Sequence, residues 1–222
     1  MSKSEAPTAK RVTSDWMSTL PGFAAWRPLR LLRRIGPVVQ GVTLDRTTSG
    51  DGYFPTVHIH ALVREFPVVT LTLGQRLITP SGVQESIPFA LHSTEFGSAA
   101  QRLIAQSELS LEEPPSISEI VNSLYEYVAV QQDKGLPPAV RELEDGILVA
   151  AAVGERSLVE RGLDLARQMA NVWPKSRLPL DWQGSDVWLT GLEQRVDDSS
   201  GLQDVVERQV AFHKLAKVPD AQ

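Results

Sequence analysis

The sequence predicts an α+β protein: an N-terminal antiparallel sheet of about four strands with a leading helix, followed by a helical half of about five helices. Three observations carry this. Apolar and polar residues alternate between residues 38 and 91, as half-buried strands require. After His92 the apolar period lengthens to about 3.6, the helical value. The connections between the alternating runs are short, whereas parallel pairing needs crossovers of about a dozen residues, so the strands pair antiparallel.

Taken in order, residues 1–13 are polar without an apolar period and read as a flexible tail. Ser14 or Asp15 fits the cap of a short leading helix that Pro21-Gly22 breaks. The basic segment Trp26–Arg34 follows, and Ile35-Gly36-Pro37 stops any helix there. Strand signals come next: Val38, Val42 and Leu44; then Val57, Ile59, Ala61 and Val63; then Val69, Leu71 and Leu73; then Val83, Ile87, Phe89 and Leu91. The dipeptide Asp51-Gly52 closes a turn-rich loop and signals a hairpin. Thr94 is a candidate cap for a helix carrying Phe96, Ala100, Leu103 and Ile104. Ser116–Glu119 and Ser157–Glu160 both spell a capping box. Between them Val140, Leu143, Ile147 and Ala151 make one apolar stripe. The helix from Ser157 ends at Pro174, another starts at Ser185, and the last runs to about Lys217. The organisation expected is a tail at 1–13, a mainly β region at 14–93 and a helical region at 94–222, the latter two separate or integrated with each other.

Composition sets the functional frame. With 222 residues, 42% of them hydrophobic, the chain builds a core without staples. Cys is absent, which excludes disulfides, thiolate metal sites and cysteine nucleophiles. The first residues lack the apolar stretch of a secretory signal, and no run approaches the ~18 apolar residues of a membrane span, so the expected compartment is the cytoplasm. Arg outnumbers Lys 16 to 6, in keeping with the GC-rich codons of a bacterial source. The net charge of −5 is uneven: residues 1–94 carry +4 and residues 95–222 carry −9. An acidic half repels nucleic acid and attracts a basic partner.

Three clusters are candidates for function. Trp173, Trp182 and Trp188 surround a Pro-containing loop with Leu178 and Leu180, the residue types that anchor protein interfaces. Arg27, Arg30, Arg33 and Arg34 form a basic patch; on a helix Arg27, Arg30 and Arg34 share a face suited to an anion or an acidic partner. His58 and His60 lie two apart on a strand, hence on one face, within reach of one metal ion that Glu65 and His92 complete if the sheet brings them close.

The string around these histidines resembles part of the first cupin motif. Gly52 stands six before His58 and Glu65 five after His60, as that family requires; Gly74 stands nine beyond the Glu, where the family has about seven. The resemblance implies a metal-dependent enzyme or sensor and covers about a tenth of the chain.

No G-x-S-x-G, P-loop, G-x-G-x-x-G or HExxH motif occurs, and no catalytic residue or cofactor is assigned. The function expected is therefore that of a non-catalytic intracellular interaction protein, an accessory or immunity-type subunit binding through its acidic helical half. The alternatives are the metal site at His58 and His60 and a structural subunit of a homo-oligomer.

Overall fold

The computed structural model describes residues 8–178 and 182–221. They divide into two compact units. One comprises the chain up to His60, Val68–Pro115 and the end from His213; the other comprises Ala61–Pro67 and Ser116–Phe212.

The first unit is a sheet with two helices. Helix α1 (Ala9–Thr19) begins at Thr8, whose hydroxyl accepts from the Arg11 amide. It therefore starts inside the stretch read as a tail, and Ser14 and Asp15 lie within it. The reason is spacing: Val12 and Trp16, four apart, are both buried and turn one face inward. Residues 1–7 lie outside the described set.

Strands β1 (Ala24–Arg27) and β2 (Arg30–Ile35) replace the helical face read over the basic segment. They pair antiparallel with Arg27 opposite Arg30. Pro28 fits the first corner of the turn, and Leu29, at φ +63°, takes the second. Leu29 is held in that unfavourable conformation by its amide, which donates to the Thr13 hydroxyl at 2.7 Å, and by its buried side chain.

Strands β3 (Val38–Arg46), β4 (Gly52–Ala61), β5 (Thr72–Arg76) and the short β6 (Ile87–Pro88) complete the sheet. The strand order is β1-β2-β3-β4-β5, with β6 also on β4. The pairs β1–β2, β2–β3, β4–β5 and β4–β6 are antiparallel. Chain class changes at helix α2 (His92–Gln106), which starts on Leu91 and His92, with Thr94 inside the first turn. At its other end the Gln106 amide accepts from the Ile78 amide and donates to the Arg76 carbonyl, so a side chain substitutes for a neighbouring strand along that edge.

One sheet face packs on α1 and α2. Its core joins Val12, Trp16 and Leu20 to Leu31, Val42, Tyr53, Ile87 and Leu103. On the same face Arg33 stands opposite Gln40 and is fully buried. Its guanidinium donates to the Gln40 side chain and to the carbonyls of Ser110, Leu111 and Glu113, over the Phe23 ring. Burial pulls its pKa down to about 10. The last described residues line the free edge of β2, where the Arg34 amide donates to Pro219 and the Ala221 amide to Arg34.

The second unit is helical: α3 (Ile117–Asp133), α4 (Val140–Ala152), α5 (Arg156–Val172), α6 (Ser185–Asp197) and α7 (Ser199–Phe212). The Ser116–Glu119 capping box forms with both reciprocal bonds. The second expected box does not: α5 starts on Glu155 without a side-chain cap, and Ser157 is already helical. Helix α4 is buried nearly all round, from Asp145 to Ala150 without a break. Tyr125 enters between α4 and α5 because both offer a glycine. A Cβ at Gly162 falls 2.1 Å from the Tyr125 hydroxyl and one at Gly146 2.6 Å from its ring, and the hydroxyl donates to Leu158. Among the described residues no helix is long and apolar enough to cross a membrane.

Candidate functional site

The helical unit carries a net charge of −7 and the sheet unit +2. Its central helix holds two consecutive acids, Glu144 and Asp145, which meet Arg64 from the Ala61–Pro67 segment of the same unit. Arg64 Nη1 lies 3.0 Å from Glu144 Oε2, and Nη2 lies 2.7 Å from Asp145 Oδ1 and 2.8 Å from the Arg141 carbonyl. Glu144 also accepts from the Trp188 indole N–H at 2.7 Å and faces Arg195 at 3.7 Å. Asp145 is deeper: burial pushes its carboxyl up to about 6, against the pull of Arg64. The same segment is fastened twice more, by the Phe66 amide donating to Gln209 and by Arg208 beside Glu65.

The outer wall of this network is an open depression of about 510 Å³, lined by Arg64, Arg141, Glu142, Glu144, Trp182 and Trp188 among others. A second depression of about 780 Å³ shares Trp182, Gln183 and Val187 with it and is further lined by Trp173, Leu178 and Asp186. Trp182, Gln183 and Val187 thus form a ridge between two basins. The three tryptophans pack on one another, with ring centres 5.3–6.1 Å apart. Trp173 is buried beneath, Trp182 and Trp188 are partly exposed, and Val187 is 55% exposed. Rings this close leave no room for a cation between them, so the free surface is the outer face of the cluster.

Of the other residues singled out in the cluster, Leu178 is partly exposed and Leu180 lies outside the described residues. The basic patch loses one member to the core. Arg33 is buried in the sheet core, Arg34 pairs with Asp220, and Arg27 lies over the Trp26 ring. Arg30 and Arg34, four apart on β2, share one face of the strand, with Arg27 opposite Arg30 on β1, while alternation turns Arg33 to the other face and into the core.

The histidine set does not converge either. β4 is buried on both faces, so His58 and His60 are 1% and 2% exposed and not on an outward face. His58 shares a hydrogen bond with the Thr43 hydroxyl and lies over Gly41, where a Cβ falls 2.4 Å from its ring. His60 bonds Thr70 and meets the His213 ring edge-on. Glu65 is beside Arg208 in the helical unit. His92 sits between the Tyr53 hydroxyl, 2.8 Å from Nδ1, and Asp15, 3.0 Å from Nε2. Among the described residues no group of three or more His, Cys, Asp or Glu is arranged to hold a metal ion.

The chain Asp15–His92–Tyr53 resembles a catalytic relay in composition, but its far end is closed. The Tyr53 hydroxyl accepts from the Trp16 indole N–H at 3.0 Å and is fully buried, and burial raises its pKa. The Asp15 carboxylate accepts from Nε2–H, and in the tautomer that this fixes Nδ1 accepts the phenol proton. Every donor finds an acceptor, and the set ties α1, β4 and α2 together.

Comparison of the chain with protein-family models, with curated proteins and with solved structures finds no match. The Arg64–Glu144–Asp145 network was not anticipated from the sequence. The signal available was the apolar run beginning at Ile147, which makes α4 apolar all round and hence central; a charge on such a helix needs a buried partner.

Proposed function

We propose that the protein is a non-catalytic recognition subunit, of the accessory or immunity type, that holds a macromolecular partner through its acidic helical unit. The reading places it in the bacterial cytoplasm, on the sequence grounds given above. The observation that supports it is the ridge of Trp182 and Val187 standing between two open basins with carboxylates in their walls. Aromatic and aliphatic anchors within a polar rim are the composition of interface hot spots. The surplus of negative charge speeds encounter with a basic surface and repels phosphates.

The test uses the full-length protein as bait in extracts of its source organism, beside Trp182→Ala and Val187→Glu. A partner is expected with the wild type at low salt. It is expected to fade as salt rises, because exposed charges are screened over about 10 Å at 0.1 M. Both variants lose it while melting at the wild-type temperature. A partner retained equally by both variants rejects the reading.

A further inference from the structure

The depressions flanking Trp182 differ from an ordinary acidic surface in how their charges are spent. In the first, Arg64 is committed to Glu144 and Asp145, and Glu144 is committed in turn to Arg64, Arg195 and the Trp188 indole. The Arg141 guanidinium lies over the Phe66 ring at 4.7 Å. Glu142 is left with no hydrogen bond or ion pair among the described residues. In the second, Asp186 is the one carboxylate of the lining and is likewise unpaired. Each basin therefore holds one carboxylate that has no hydrogen-bond or ion-pair partner among the described residues, and the apolar ridge of Trp182 and Val187 stands between them.

Resting on the recognition reading above, we propose that this surface receives an extended basic segment of the partner, in which apolar side chains seat on the ridge and cationic ones flank them. One arginine enters the basin of Glu142 and another that of Asp186. Their aliphatic stems cover Val140, Val187 and the tryptophan faces while the charged heads reach the carboxylates. Arginine suits the site better than lysine, because its planar guanidinium stacks on an indole while pairing with a carboxylate. The unit's charge of −7 supplies the long-range attraction, and the two carboxylates supply position.

The experiment titrates the full-length protein with the blocked peptide Arg-Leu-Leu-Arg-Leu-Leu-Arg and with its twin carrying Glu for every Arg. Trp fluorescence and the indole N–H resonances of Trp182 and Trp188 are read. Saturable binding of the arginine peptide is expected, with no response to the glutamate twin. Glu142→Gln with Asp186→Asn is expected to raise the dissociation constant at least fivefold, and Asp204→Asn, on α7, to leave it unchanged. Thermal melts confirm that each variant is folded. Equal response to both peptides, no saturable response, or an unchanged constant in the double variant overturns the proposal. If Trp182→Ala still abolishes capture of the natural partner in that event, the recognition reading stands and only the basic segment falls. If Trp182→Ala leaves capture intact while the double variant weakens the peptide, the broader reading is the one that falls.

Discussion

In the sheet unit, Trp16, Tyr53, His92 and Asp15 form a chain of hydrogen bonds whose inner members are sealed in the core. In the helical unit, Arg64, Glu144, Trp188 and Arg195 form a network whose outer members are the wall of an open depression. Both sets contain residue types that catalyse or bind elsewhere. What separates them is access. A satisfied polar chain without a cavity contributes rigidity and specificity of packing, whereas a network at a basin wall holds neighbouring side chains ready for a ligand.

The largest effect that tests this contrast comes from Trp16→Ala. It removes a fully buried indole and leaves the Tyr53 hydroxyl without its donor, so unfolding in urea should show a loss of about 3–5 kcal/mol. A loss under about 1 kcal/mol breaks the claim that the relay is structural.

Acid sharpens the comparison, because the two units carry buried groups of opposite sign. Burial, aided by Arg30 and His60, pulls His58 down from 6.5 to about 3. Its native form stays neutral while the unfolded chain takes up a proton, so stability falls as pH drops from about 6.5 towards 3. The slope is about 1.4 kcal/mol per pH unit. Asp145, raised to about 6, works the other way: its contribution is complete below the unfolded value of 3.8 and is lost as pH rises through 6. Amide hydrogen exchange at pH 7 and pH 5 should show protection falling in β3 and β4 and not in α4. His58→Gln should flatten the first trend and Asp145→Asn the second.

A smaller loss, about 1–3 kcal/mol, is expected for His92→Ala, which strands the Tyr53 hydroxyl and Asp15. Denaturation reads it directly, and a variant as stable as the wild type contradicts the relay. The smallest effect on stability belongs to Trp182→Ala, under about 1 kcal/mol for a partly exposed ring, against about 2 kcal/mol or more in partner binding if it is a hot spot. A melting temperature that falls as far as for Trp16→Ala would make Trp182 a core residue and erase the distinction between the units.

Much of the architecture was legible because it rests on local rules. The change of period after His92, the Ser116–Glu119 capping box and the helix beginning at Ser185 all follow from neighbours within four residues. The Trp182 cluster was legible too, since its members lie within sixteen residues of one another. The failures share a cause. Pro28-Leu29 turns a basic stretch into a hairpin because Leu29 finds Thr13 and a core to fill. That outcome depends on α1 and not on the segment itself. That His58 and His60 share a face is legible, but alternation assigns two faces without saying whether either is wet, and both faces of β4 are buried.

The sequence by itself determined the passage from an antiparallel sheet to a helical half, the absence of thiol chemistry and the uneven charge, since composition and spacing are written in it. Only the tertiary structure decided which polar residues are spent. Arg33 was committed to three carbonyls, His92 to Tyr53 and Asp15, and Arg64 to Glu144 and Asp145, across sequence separations of 39 to 81 residues. A charge is neutralised or left free by what lies within about 4 Å of it, and no local pattern encodes that distance. It is the same accounting that leaves Glu142 and Asp186 unpaired among the described residues on either side of Trp182.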